Sequence, residues 1–581
     1  MSYVPPVGCL TEALEVAGLA DILGLPAFGH VDRATVESIL WEFSRFASEV
    51  IVPTDRIGDL QGSALDHETG RVRVPDEFRD VYRRYVAAGW GSLTFAAADG
   101  GGGLPRVVGL ALQEMFASSN LALSLNPVLT QSAAEVIAEW GSESQRSLYL
   151  PKLLTGEWSG TMVLTEPDAG SDVGALRTRA VLGADGTWGI SGTKIFITWG
   201  EHGLADNIVH MVLARTDDVP GGTSGLSLFA VPRTMPDGRS NRVRCVGLEH
   251  KMGIRASPTC VMEYDEAVGE LVGPRGGGMQ AMFTMMNMAR VAIGVQGLAV
   301  GEAALQQART YAMERRQGHA GTGGPGPSSP IIDHPDVKRM LVEMQAVTSA
   351  VRLLLYVTGA TQDTAAHHPS AEHRAWARSL VALLTPIAKG WCTDRGVDIA
   401  SVGIQVHGGI GFIEESGVPQ RLRDVRIAPI YEGTNGIQAM DLVLRKVAGD
   451  QGSTMRGLIG QIRETIRQLA SVPSGLPRAG DALAAATDTL EECTHWIVER
   501  SPSSRDDVLA GSSAYLDLCG TVVGGWLLAR RVLAMLEHPG TIGLDRALCD
   551  LEAFAVMKLS RAPSLVLPVT AGMEYLQRYR P

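Results

Sequence analysis

MFTMMNMARVAIGVQGLAVGEAALQQARTYAMERR, residues 282–316, repeats apolar side chains at spacings of three and four along its length, which lines them up on a long helix. A second stretch of the same kind, HPDVKRMLVEMQAVTSAVRLLLYV (334–357), follows, and two such lengths suit a helix bundle. Between them GHAGTGGPGPSSP (318–330) has little apolar surface to bury; its Gly, Pro and Ser predict an exposed loop joining two bundle helices. The bundle domain is placed at 278–450.

Upstream, at 159–277, the pattern shifts to short β-rich runs, TMVLT, WGISG, KIFIT and IVHMVLA, separated by the turn segments DAGSD, GADGT and VPGGTSG. That predicts a compact β-domain. Residues 36–158 are helical in pattern, as in TVESILWEFSRFASEVIV and DEFRDVYRRYVAAGW, and an irregular arm, 1–35, precedes them. After 450 come further amphipathic segments, broken at SVPSGLPRAG and SPSSRDD, so 451–581 is read as a last helical domain. The expected fold is α+β multidomain: an N-terminal helical domain, a central β-barrel or β-sandwich domain, a C-terminal four-helix bundle and an additional C-terminal helical domain.

The bulk properties exclude several classes. With 581 residues, 45% hydrophobic, the chain exceeds one core. A formal net charge of -12 leaves no global positive field to gather phosphate backbones, so nucleic acid is not expected as a partner. The start, MSYVPPVGCL, lacks a basic and an apolar secretory region, and no run of about 20 predominantly apolar residues is expected to span a membrane; the expected compartment is the cytoplasm. Cysteines 9, 245, 260, 392, 493, 519 and 549 lie far apart, with neither a C-x-x-C pair nor zinc-like spacing. They are read as reduced, mostly structural thiols, with no metal site.

Four segments carry chemistry. LTEPDAGSDV (164–173) sets hydroxyls and a Gly-rich turn at a strand end, where O–H and backbone N–H donors would suit an anionic or carbonyl ligand; an ordinary hairpin turn fits as well. In KIFITWG (194–200) strict alternation puts Phe196 and Thr198 on one face and Ile195 and Ile197 on the other, so a flat aromatic ligand could rest on Phe196, or the segment could be a plain core strand. GIQVHGGIGF (403–412) lets backbone approach a ligand closely, or makes a tight interhelical connection. IAPIYEGTNGIQAMDL (428–443) places Glu432 in a polar break. A lone loop Glu is ordinarily solvated surface, but Ile430, Tyr431 and Ile437 favour a partly dry setting that raises its pKa and makes it a usable base.

Together and in this order, with LEHKMGIRASPTCVMEY (248–264), YAMERRQG and HGGIGFIEESG, these segments resemble the acyl-CoA dehydrogenase family over residues 36–450. The fuller wording resembles its long bacterial branch, of the 3-methylmercaptopropionyl-CoA dehydrogenase type, which carries an extra carboxy-terminal helical domain. The resemblance implies FAD as cofactor and Glu432 as the base that removes the α-proton of an acyl-CoA. It implies that Met162, Leu164, Thr165, Phe196, Ile197 and Thr198 face the flavin, with Thr165 and Thr198 bonding to its edge. Ser171 would touch cofactor and acyl-CoA, and Thr434 would complete the cofactor contacts. Arg315 would reach the FAD pyrophosphate of a neighbouring subunit, with Gln405, Gly408 and Gly409 along the adenosine half, so a homodimer is expected. Asn287, Arg290 and Gly433 would line the substrate.

Some branches place the base on the bundle helix immediately before an Arg. Here that place holds Ala289, before Arg290, which leaves Glu432; Glu414 and Glu415 are read as surface charges. Phe196 stands where the family often has Trp, and Ala96-Ala97-Ala98-Asp99-Gly100-Gly101 replaces a Pro-Glu-Glu-Tyr-Gly-Gly type segment near the acyl pocket, which leaves the substrate's shape open. The family's chemistry gives a trans-2-enoyl thioester, with an electron-transfer flavoprotein as acceptor. Rival readings are an oxidase, a hydroxylase or a dehydrogenase of carrier-protein thioesters on the same fold, and a DNA-binding stress-response flavoprotein. Residues 451–581 hold 13 Lys and Arg against 14 Asp and Glu, without the basic footprint that the last of these needs.

Overall fold

A computed structural model describes residues 3–184, 186–217, 221–321, 328–472, 476–537 and 543–580. Parts of four expected turns and loops, at 185, 219–220, 322–327 and 473–475, lie outside the described residues. The chain forms two compact units that cut across sequence order: Met1–Ser44, Pro105–Ser118 and Arg290–Pro581 in one, Arg45–Leu104 and Ser119–Ala289 in the other.

The second unit is built on a sheet. After a small hairpin, β1 (Ala64–Asp66) and β2 (Arg71–Arg73), come β3 (Trp158–Val163), β4 (Arg179–Leu182), β5 (Trp188–Thr198), β6 (Asn207–Arg215), β7 (Leu226–Pro232), β8 (Val243–Leu248) and β9 (Thr259–Val272). They pair in the order β3-β6-β4-β5-β9-β7, with β8 on β9 and β6 also on β7. This is one seven-stranded sheet, not the two separate sheets of a sandwich. Its path returns from β7 to β6, yet β4 meets β6 through the single pair Arg179↔Arg215, short of the continuous ladder a closed barrel requires.

β6 and β7 are almost continuously apolar because both faces are covered. β3 is covered by the helix Leu121–Trp140, so closely that a Cβ on Gly160 would lie 2.4 Å from that of Ala133. Val163, Trp188, Ile190, Ile197, Val212, Phe229, Cys260 and Met262 fill the core.

The first unit holds the bundle. Its long helices are Gly278–Glu314, which enters this unit at Arg290, Pro335–His367 and Ala371–His407. The fourth long helix expected before residue 450 does not follow them directly: two short helices, Val418–Val425 and Asn435–Asp441, come next, separated by a stretch that includes the YEGT segment. The first and third long helices cross through glycines: a Cβ on Gly297 would lie 2.6 Å from the Cys392 carbonyl oxygen, and one on Gly396 2.5 Å from that of Gly297. Backbone cannot yield as a side-chain tip can, so Gly297→Ala is expected to cost about 1–3 kcal/mol as overpacking. Gly460→Ala, on the exposed face of Ser453–Ala470 with nothing within 4 Å, should be neutral or gain about 0.5–1 kcal/mol. Thermal midpoints of the two variants check this contrast.

The helices Ser453–Ala470, Pro477–Arg500, Ser512–Leu536 and Leu544–Met557 supply the expected last helical region. It packs on the bundle through Trp391, whose indole would lie 2.1 Å from a Cβ on Gly520. The arm is not irregular as expected. Val7–Val16 and Leu19–Leu23 are helices, because Val7, Leu10, Ala13 and Leu14 form a buried stripe at helical spacing. Glu12 on this arm pairs with Arg531, which also holds Asp550 at 2.7 Å.

Against expectation, three helices contain 18-residue windows apolar enough to cross a membrane by length and composition. Gly278–Glu314, Pro335–His367 and Ser512–Leu536 reach mean hydropathies of 1.3, 1.4 and 1.3, and 94%, 83% and 83% of those windows is buried within the protein. Their apolar surface is matched by helix packing.

Candidate active site

In the sheet unit, Lys194 organises the segments read as cofactor-facing. Its fully buried ammonium donates to the Leu164 and Leu213 carbonyls at 2.8 Å each and pairs with Glu166 at 2.9 Å. Glu166 also accepts from the Arg177 N–H at 2.6 Å and from the Thr178 N–H and hydroxyl at 3.0 and 2.6 Å. Burial pushes the Glu166 carboxyl up, but Lys194 and these bonds more than offset it and hold it below the usual carboxylate range; burial brings Lys194 down to about 8. The clasp fixes the end of β3 against β5, where the Ile195 N–H donates to Thr165 O at 2.9 Å and the Thr161 hydroxyl to Thr198 O at 2.7 Å.

The alternation expected in KIFITWG fails at a bulge. Lys194 pairs with Met262 and Ile197 with Cys260, so Ile195 and Phe196 share the space opposite one residue. Phe196 takes φ 59°, in the left-handed region, and is 57% exposed. Ile197 turns into the sheet core at 2% exposure. Its side chain therefore packs with Cys260 and Met262 rather than facing a ligand, and only its backbone could meet a flavin. Met162 is likewise a buried side chain within β3.

Leu164, Thr165 and Thr198 are half-buried, and Ser171 is exposed in the turn after the Glu166–Ala169 bridge. The hydroxyls of Thr165, Thr198 and Ser171 make no hydrogen bond among the described residues. An exposed aromatic face beside unengaged hydroxyls suits a flat heteroaromatic ring with hydrogen-bonding atoms on its edge. The residues present fit the isoalloxazine of FAD.

In the bundle unit, Glu432 lies in the break before Asn435–Asp441, closed by the Asn435 N–H donating to Pro429 O at 2.9 Å. Glu432 and Gly433 both take positive φ, 55° and 84°; for Glu this stores about 1–3 kcal/mol of strain, a cost typical of functional sites. Tyr431 donates its hydroxyl to the Gln296 carboxamide. Thr434 caps the following helix by accepting from the Ile437 N–H at 3.2 Å, which leaves its own O–H able to donate. The Glu432 side chain is mostly buried. Burial raises its pKa above the ordinary value, while Arg290 and Lys389 oppose the rise. Neither its carboxylate nor its backbone N–H makes a hydrogen bond among the described residues. The partly dry setting expected for Glu432 is thus present.

Arg290 is buried on the Gly278–Glu314 helix, whereas Asn287, earlier on it, is exposed. Exposed Arg315 follows that helix's last turn, where Tyr311 stacks on His407 with ring centroids 4.5 Å apart. His407 directly precedes exposed Gly408 and Gly409, and Gln405 is exposed on the same helix end. The structure therefore brings the neighbourhood of Arg315 to that of Gln405, Gly408 and Gly409. Glu414, paired with Arg423 at 3.0 Å, and Glu415 lie on the surface as expected. Sequence reading missed Lys194, Glu166 and Lys389. A charged residue inside an apolar strand or helix was the available signal for the two lysines, but spacing alone does not say what partner waits for it.

Four family models match in order: acyl-CoA dehydrogenase N-terminal domain at 37–157, middle domain at 161–267, C-terminal domain at 276–447, and acetyl-CoA dehydrogenase C-terminal like at 458–561. The chain is 45% identical over 540 residues to the 3-methylmercaptopropionyl-CoA dehydrogenase of Ruegeria pomeroyi, covering 92% of this chain and 91% of that protein. It is 34% identical to a broad-specificity linear acyl-CoA dehydrogenase of Mycobacterium tuberculosis, covering 92% and 90%. Its fold is similar to the crystal structure of a Bacillus anthracis acyl-CoA dehydrogenase complexed with FAD, with a TM-score of 0.77 at 22% identity over 94% of this chain and 90% of that one.

Proposed function

The chain belongs to the acyl-CoA dehydrogenase family of FAD-dependent oxidoreductases, and from that premise we propose that it converts an acyl-CoA thioester to the trans-2-enoyl-CoA with Glu432 as the base. The observation that carries this reading is the Glu432 carboxyl group, which is mostly buried, raised in pKa and bonded to no neighbour among the described residues. A raised pKa makes the carboxylate a stronger base toward a weakly acidic α-proton, and an unengaged carboxylate has a lone pair to take it with. The Glu432 N–H is a donor for the thioester oxygen as enolate charge develops. Arg290, Asn287 and Gly433 are proposed to line the substrate.

Thr165 and Thr198 would hold the isoalloxazine edge, and Leu164 and Phe196 its face. Ser171 and Thr434 would add hydrogen bonds, and Arg315, Gln405, Gly408 and Gly409 would hold the pyrophosphate and adenosine half across a homodimer. When bound, FAD supplies the acceptor for the β-hydride. An electron-transfer flavoprotein as acceptor, a place in β-oxidation and a cytoplasmic compartment complete the proposal.

The relatives suggest which substrates to offer first: 3-methylmercaptopropionyl-CoA and linear acyl-CoAs, which the two relatives' names specify for those proteins. Anaerobic mixing of the FAD-loaded protein with these thioesters should bleach the flavin and yield the enoyl-CoA by mass spectrometry. Bleaching by carrier-bound thioesters alone would move the substrate class. Bleaching by none would sink the reading.

A further inference from the structure

One buried cation beside Glu432 has no role in the reading above. Lys389 lies within the long helix Ala371–His407 with a fully buried side chain, where an unpaired ammonium would cost several kcal/mol. It donates to the Asn435 side-chain oxygen at 2.9 Å. The Asn435 amide nitrogen in turn shares its two hydrogens among Gly390 O at 2.9 Å, the Thr393 hydroxyl at 3.0 Å and Asp394 at 2.8 Å. A single side chain is thereby clamped by one stretch of that helix, 389–394. Asn435 opens the short helix that follows the YEGT break, so the clamp fixes the downstream end of the segment that carries Glu432. Water is kept from the rear of the stretch by the last helical region, where Gly390 packs on Leu516 and Trp391 on Gly520, while Arg395 binds Asp517 at 3.1 Å.

We infer that Lys389 is a positioning residue for the reaction: through Asn435 it sets the placement of the Glu432 segment, and by its charge it favours the ionised form of the Glu432 carboxyl. The inference rests on the reading of Glu432 as the base. Other titratable groups facing this place are Arg290 from Gly278–Glu314, Asp394 on the same helix as Lys389, the neutral phenol of Tyr431 beside the base, and Asp441, which Arg445 engages, from Asn435–Asp441. Arg290 stays charged across the working range and opposes the rise of Glu432 at every pH. Burial brings Lys389 down to about 7, so it carries its charge below neutral pH, where that charge opposes the rise of Glu432.

The test compares Lys389→Met and Lys389→Arg with wild type, measuring the rate of flavin bleaching by a saturating and a limiting acyl-CoA between pH 5 and pH 9. Loss of a neighbouring opposite charge moves a carboxyl up by about 1–3 units, so Lys389→Met should shift the acid limb of the bleaching rate to higher pH by about one unit. Lys389→Arg should return the limb toward wild type. If Lys389→Met does not fold, Lys389→Gln, which keeps a polar tip for Asn435, is measured with the same expected shift. A uniform loss of rate or of bound FAD with the acid limb unmoved would overturn the inference and leave Lys389 a structural residue. Wild-type bleaching that does not depend on Glu432 would instead overturn the parent reading, so the two failures are distinct.

Discussion

Glu432→Gln should leave the protein folded and yellow with FAD yet slow bleaching by its acyl-CoA about 10²–10⁴-fold, the usual worth of a positioned base. Glutamine keeps the length of the side chain and tolerates the left-handed backbone no worse than glutamate does, and removing a charge from a mostly buried place relieves a desolvation cost. The variant should therefore be no less stable than wild type. What it loses is the lone pair that takes the proton. Stopped-flow absorbance under anaerobic conditions reads the effect directly, with calorimetry as the control for folding. Bleaching at the wild-type rate would show that another group removes the proton. Glu414 and Glu415, on the surface, offer no replacement.

The largest stability effect is expected at Arg352. Its buried guanidinium binds Glu114 through two nitrogens, at 2.9 and 2.7 Å, and reaches Glu302 at 2.8 Å, while the Tyr356 hydroxyl donates to Glu114 at 2.7 Å. These groups tie Arg106–Ser119, Gly278–Glu314 and Pro335–His367 together in the bundle unit. Burial raises Glu114, whereas Arg352 and Gln306 hold Glu302 below its ordinary value. Arg352→Met keeps the volume but strands two buried carboxylates, and breaking such a pair costs about 3–5 kcal/mol.

The pH dependence gives a sign. Without the cation both carboxyl groups have folded pKa values above the unfolded ones, so the folded state binds more protons and stability falls as pH rises. The deficit in thermal midpoint should be larger at pH 8 than at pH 5.5, and adding Glu114→Gln should restore part of it. A deficit that grows on acidification would refute this account.

Part of the candidate site was legible in the sequence. The polar break with apolar flanks marked Glu432 as a candidate, and the resemblance to the acyl-CoA dehydrogenase family, not local spacing, gave it the role of base and named Thr165, Ser171 and Thr198 as ligand contacts. The strand rule failed at Phe196, since a bulge depends on how β5 registers with β9 and not on β5 alone. It failed again for the arm, whose helix forms because Val7, Leu10 and Leu14 find partners elsewhere in the chain. The long apolar windows of the bundle and of Ser512–Leu536 carry the same ambiguity, because composition does not say whether lipid or protein will cover them.

By itself the sequence determined which residue types were available and in what order: helical segments, a β-rich segment, a bundle, and a carboxylate, Glu432, in a polar break with apolar flanks. Only the tertiary structure decided what that carboxylate experiences. Arg290 and Lys389 sit on different helices, distant in the chain, and reach the same place because Gly297 and Gly396 let those helices cross at backbone contact. Local spacing fixes which way a side chain leaves its own element, but the dryness and charge around it are sums over neighbours, and neighbours are set by packing.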